Sequence, residues 1–73
     1  MTLAPNQAST FFRIPGLNAS ATVRVFDALG RKAINGRVAS AREVVDVSAL
    51  RPGVYRVLVQ DTRGLRVATL VKD

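Results

Sequence analysis

Apolar and polar residues alternate in six short runs along this chain, at residues 10–14, 21–26, 31–34, 43–47, 54–59 and 65–71. Each run is rich in β-branched or aromatic residues and is bounded by turn formers, so each predicts a strand. The third run is the weakest and the fifth the strongest. Tyr55, Val57 and Val59 share one face, with Arg56 and Gln60 on the other. Val23 and Val25 oppose Thr22 and Arg24, and Leu65, Val67 and Val71 oppose Arg66 and Ala68. A period of two predicts antiparallel sheets with one wet face. Phe26, Leu58 and Leu70 break the pattern by placing apolar groups on the polar side, where they either cover an edge or form a docking surface.

The turns agree with antiparallel pairing. Asp27-Ala28-Leu29-Gly30 and Asp61-Thr62-Arg63-Gly64 share an Asp-x-x-Gly pattern. An aspartate at the first turn position can bond the backbone two residues on, and a glycine at the fourth can take a positive φ. Both suit a type I turn followed by a bulge, so the second run should pair with the third and the fifth with the sixth. Asn35-Gly36 is a hairpin signal of another kind, and it reads either as a turn or as the end of the third strand. Residues 48–53 predict a tight crossover, with Pro52 and Gly53 at the centre of a type II turn. Helical patterning is weak throughout, and six strands in so short a chain predict a two-layer sandwich or a small barrel. Residues 1–8 read as a linker and residues 9–73 as the folded domain.

At 73 residues there is room for one domain with a modest core. The 48% hydrophobic content is sufficient to fold it. There is no cysteine, so neither a disulfide nor a thiol nucleophile is available. There is no histidine either, which removes the commonest general base and metal ligand. Of the five acidic residues, Asp27 and Asp61 already have a role in turns. No catalytic, cofactor-binding or metal-binding set is expected, and no cofactor. A net charge of +6 fits either an anionic partner or simple solubility. The arginines are spread from Arg13 to Arg66, and with three phenylalanines and one tyrosine there is no aromatic-and-basic stripe of the kind that stacks on bases. Nucleic acid is therefore not expected as a partner. No apolar run approaches the roughly 20 residues of a membrane helix. Residues 1–5 lack the basic and apolar regions of a signal peptide, so a leader for export would precede residue 1.

The order of these signals resembles a known family. Pro5-Asn6-Gln7-Ala8-Ser9 precedes the first strand; residues 23–31 read Val-Arg-Val-Phe-Asp-Ala-Leu-Gly-Arg; residues 45–57 read Val-Asp-Val-Ser-Ala-Leu-Arg-Pro-Gly-Val-Tyr-Arg-Val; and the last strand ends in Leu70-Val71-Lys72-Asp73. Together they resemble the C-terminal sorting domain of the type IX secretion system, the type A or Por secretion tail of the Bacteroidetes. Asp-x-x-Gly-Arg is a weak motif by itself, and Leu-x-Pro-Gly-x-Tyr a better one. Gln7 departs from the Pro-Asn-Pro opening usual in the family.

The resemblance implies an Ig-like antiparallel β-sandwich of six to seven strands at the C-terminus of a secreted cargo. It also implies recognition in the periplasm, passage across the outer membrane through a translocon and shuttle, and often removal by a sortase-like cysteine protease. The cargo would then be secreted or held at the cell surface, in some cases on anionic lipopolysaccharide. The motif and turn residues it singles out are Pro5, Asn6, Asp27, Gly30, Arg31, Leu50, Pro52, Gly53, Tyr55, Asp61 and Gly64. Leu50 and Tyr55 read as packing groups beside turns. The candidate recognition strand spans residues 65–72 and includes Leu65, Val67, Leu70, Val71 and Lys72. A terminal strand at a sheet edge can accept another strand; otherwise it is paired core. Lys72 reads as exposed, and it matters only as part of a terminal signal. An edge strand would also permit pairing with a second copy. The reading from another class is an accessory carbohydrate-binding or adhesion sandwich, which the lack of tryptophan disfavours.

Overall fold

Among the described residues the six alternating runs form six strands and a further one precedes them: β1 (Gln7–Ala8), then β2 (Phe11–Phe12), β3 (Ala21–Phe26), β4 (Lys32–Val38), β5 (Val45–Asp46), β6 (Gly53–Asp61) and β7 (Gly64–Lys72). The structure, a computed structural model, describes residues 3, 7–8, 10–17 and 19–73, and these include no helix. Five strands form one sheet in the order β1-β7-β6-β3-β4; β2 and β5 form a second, much smaller one. All neighbours are antiparallel except β1 and β7, which run parallel.

The core lies between the two sheets. The large sheet contributes Ala21, Val23 and Val25 from β3, Val38 from β4, Tyr55, Val57 and Val59 from β6, and Ala68 and Leu70 from β7. Facing them are Phe12, Ile14, Leu17, Val45 and Val47, together with Leu3. Phe12, Val25, Val57, Val59 and Leu70 have no exposed surface at all. Burying branched and aromatic side chains of this size stabilises the fold by roughly 1.5–3 kcal/mol each, before the entropy of ordering them is counted. The result is an all-β sandwich, one of the two outcomes the patterning predicts, and it has the Ig-like form that the resemblance implies.

Several local expectations differ from the structure. Asn35 and Gly36 neither form a turn nor end a strand; they lie inside β4, opposite Arg24 and Val23. The turn at Asp27 already closes this hairpin, and β4 must run on to Val38, opposite Ala21, to bury Val38. Gly53 sits at φ +155° and opens β6 opposite Lys72, whereas the third position of a type II turn needs about +80°. The reversal instead comes at Val47, whose carbonyl accepts from the Leu50 N–H at 3.0 Å. Asp46 supports it by accepting from the Ser48 N–H at 2.9 Å. Residues 1–8, expected as linker, include Leu3 in the core and β1 on the sheet.

The largest difference concerns β7. Leu65, Val67 and Val71 point outward, while Ala68, Leu70 and Lys72 point inward. Pairing of Asp61 with Gly64 sets this register, because it places Leu70 opposite the inward Tyr55 and Val67 opposite the outward Leu58. Leu70 is therefore core and not an apolar group on the wet side. Phe26 and Leu58 do lie on the outer face, half-buried.

Candidate recognition surface

The terminal strand is built on the Asp61 turn. Asp61 accepts from the Arg63 N–H at 2.8 Å and from Arg66 Nη2 at 2.6 Å. Gly64, at φ +126°, supplies the backbone that a side chain would resist. From there β7 pairs with β6 along its full length, from Gly64 opposite Asp61 to Lys72 opposite Gly53. On its other side β7 meets β1 only at Val71 and Lys72. Among the described residues, the stretch from Gly64 to Leu70 has no second neighbour, so this part of the sheet edge is open. Such an edge presents backbone donors and acceptors to an incoming strand.

Lys72 is not exposed: 8% of its surface meets solvent. It shares the inner face with Ala68 and Leu70, and Gly53 opposite has no side chain to crowd it. Its Nζ donates to the Asp73 carbonyl at 3.2 Å. The long aliphatic stem of a lysine can cover apolar surface while the ammonium reaches a polar group at the rim.

A second group of motif residues meets at the sheet end near Lys72. The carbonyl of Asp27 accepts from the Gly30 N–H at 3.0 Å, and Gly30 takes φ +83°, giving a type I turn with a glycine bulge. Oδ1 of Asp27 accepts from the N–H groups of Leu29 and Arg31, both at 2.9 Å, and Oδ2 from Arg31 Nε at 2.9 Å. The Arg31 backbone N–H is the chief cause that holds the Asp27 carboxyl below its ordinary value, with the Arg31 side chain and the Leu29 N–H adding to it. Asp46 is lowered likewise, chiefly by the Ser48 N–H. Across from the Asp27 turn, the Tyr55 hydroxyl donates to the Arg51 carbonyl at 2.7 Å. This ties the crossover to β6 in the manner of the tyrosine corner of Ig-like domains. Leu50 packs half-buried against the core. Between these two segments lies a shallow groove of about 200 Å³ that includes Asp27, Leu29, Arg31, Arg51, Pro52 and Tyr55.

The structure thus brings Asp27, Gly30, Arg31, Leu50, Pro52, Gly53, Tyr55 and Lys72 to one end of the sheet, and Asp61 and Gly64 to the other. Pro5 and Asn6 lie outside the described residues. Val54, on the outer face beside Val71, carries no mark in the motif reading; the period of two counted back from Tyr55 would have found it. Among the described residues, no group of three or more acidic side chains could hold a metal ion. The arrangement can present surface and backbone to a partner.

Comparison with curated proteins gives no match. Comparison with families does: residues 2–73 match the secretion system C-terminal sorting domain, the domain of the type IX system. That match spans nearly the whole chain, from ahead of β1 to the residue after β7, and the chain therefore belongs to the family of type IX secretion C-terminal sorting domains.

Proposed function

We propose that this domain directs a larger cargo protein across the outer membrane, and that the open edge of β7 is where the secretion machinery reads it. The family is one of sorting signals, not of enzymes, and its tails mark secreted or cell-surface cargo. The observation that carries the reading is the pairing of β7: complete on the β6 side and, among the described residues, confined to Val71 and Lys72 on the β1 side. A translocon component or shuttle in the periplasm adds a strand along residues 64–70, with backbone bonds giving affinity and side chains giving selectivity. The domain does no chemistry itself. A sortase-like protease acts afterwards on the chain preceding it, and the cargo is released or joined to anionic lipopolysaccharide. The same edge permits a homodimer when no partner is present.

The test is a secretion assay. The domain is placed behind a signal peptide and a fluorescent reporter, in a host with a working type IX system and in a mutant without it. Delivery to the surface or medium is expected only in the intact host. Deleting residues 70–73 would remove Leu70 from the core, so unfolding would mask any loss of recognition. Leu65→Lys with Thr69→Lys is the better variant, because both positions are exposed and lysine discourages strand addition at an edge. Export should fall while the circular dichroism spectrum stays that of the parent. Undiminished export of this folded variant would remove the edge from the mechanism.

A further inference from the structure

We infer that the outer face of the five-stranded sheet is a docking surface for an amphipathic helix with an acidic flank, supplied by a partner protein. The outer face of a small sandwich is ordinarily polar, with apolar residues scattered singly. Here Val54, Leu65, Val67 and Val71 are 54%, 54%, 46% and 37% exposed and lie on two adjacent strands. Val54 is opposite Val71 and Leu58 is opposite Val67, so the side chains form cross-strand pairs rather than isolated points. Phe26 extends the strip onto β3 beside Arg56. The two apolar pairs flank the Arg56–Thr69 pair, and apolar groups clustered in this way on an exposed face mark an interaction site.

The shape of the strip suits a helix. Two strands about 5 Å apart, with their side chains, present a band roughly 10 Å wide, the diameter of one α-helix. From Leu65 to Val71 the strip runs about 20 Å, which matches a helix of about 13 residues. Laying the apolar stripe of a helix on the apolar face of a sheet is a standard layer packing.

The charges select the partner. Arg24, Lys32, Arg37 and Arg56 share this face, along β3, β4 and the middle of β6. None is in a salt bridge among the described residues, where the two ion pairs are Arg31–Asp27 and Arg66–Asp61. Arg24 is held instead by Gln60 Oε1 at 2.7 Å and Arg37 by Ser20 Oγ at 3.0 Å. Among the described residues, no aspartate or glutamate is paired on this face. A second copy placed face to face would set cation against cation, which opposes a symmetric dimer here. A lipid surface would be met best by cations ringing the apolar centre, whereas three of these four lie to one side of it. A helix with carboxylates along the flank over β3 and β4 meets both requirements.

The test uses the isotope-labelled 73-residue chain and three probes. The first is a peptide of about 14 residues, helical, with leucines three and four apart and glutamates on one flank. The second carries lysine in place of each glutamate, and the third is a vesicle of anionic phospholipid. The acidic peptide should shift the amide signals of Arg24, Leu58 and Val67, and should bind at least about tenfold more tightly than its basic counterpart. Leu58→Ser should weaken it about tenfold, and Arg24→Glu, which reverses a charge and gives up the Gln60 hydrogen bond, should erase the preference for acid while the circular dichroism spectrum stays that of the parent. Equal binding of the two peptides, shifts confined to other surfaces, binding of vesicles alone, self-association through these same amides, or no binding at all would each overturn the inference.

Discussion

The two hairpins start from one turn motif and end in different strands. In both, the aspartate of Asp-x-x-Gly accepts backbone N–H groups and the glycine takes a positive φ. The β6–β7 ladder then runs unbroken from the turn to Lys72, where β1 joins β7 on its other side. The β3–β4 ladder shifts register between Val25 and Phe26, and β4 is the sheet's edge. The ion pairs differ in the same sense. Arg31 binds Asp27 within the turn, with the Asp27 side chain 23% exposed; Arg66 reaches back from β7 to an Asp61 side chain that is 6% exposed. The motif closes each turn, but the layers above and below decide how much of the fold depends on it.

The largest expected effect separates the cores of the two hairpins. Leu70→Ala should cost about 2–5 kcal/mol, because a fully buried leucine leaves a cavity. Ile34→Ala on β4 should cost distinctly less, since Ile34 is half-buried and packs at the margin of the core. Urea unfolding of both variants measures the difference; equal losses would mean that β4 is as firmly packed as β7. Next come the glycines. Gly64→Ala and Gly30→Ala meet no side chain or backbone within 4 Å, so their cost is conformational. Each should cost about 1–3 kcal/mol, with Gly64 the more sensitive because φ +126° lies farther from the left-handed well than +83°. The reverse order would contradict that ranking.

The smallest effect is the acid response of the Asp27 turn. Its folded carboxyl titrates below its unfolded value of about 3.9. The stabilisation is therefore complete above that value and is lost as pH falls through the lower, folded one. Asp46 adds a slope of the same sign. Unfolding midpoints followed from pH 5 downward should fall, and Asp27→Asn should flatten part of that fall. An unchanged slope in the variant would remove Asp27 from the acid response.

Periodicity and turn chemistry made much of this fold legible. Residues 21–26 read as a strand with Val23 and Val25 inward, and that is β3 as it stands. The face of β7 was misread because both of its faces are apolar: Leu65, Val67 and Val71 compete with Ala68 and Leu70. Only the register from Asp61 and Gly64 resolves them, and it follows from the turn rather than from hydrophobicity. Asn35-Gly36 failed as a turn signal because the demand to bury Val38 outweighs a local preference. Leu3 carries no periodic pattern, so its place in the core had no trace in the chain around it. The motif residues at 27–31 and 50–55 could be named from sequence, but their meeting at one sheet end depends on β3 and β6 lying side by side.

The parallel contact between β1 and β7 gives the domain a mechanical character. Tension that draws residue 7 and residue 73 apart slides these two strands along each other in opposite directions. Their hydrogen bonds are then strained together, in shear, and cannot be peeled away one after another. Among the described residues Gln7 and Ala8 alone are engaged, so the clasp is brief, and a pull that breaks it leaves β7 held by β6.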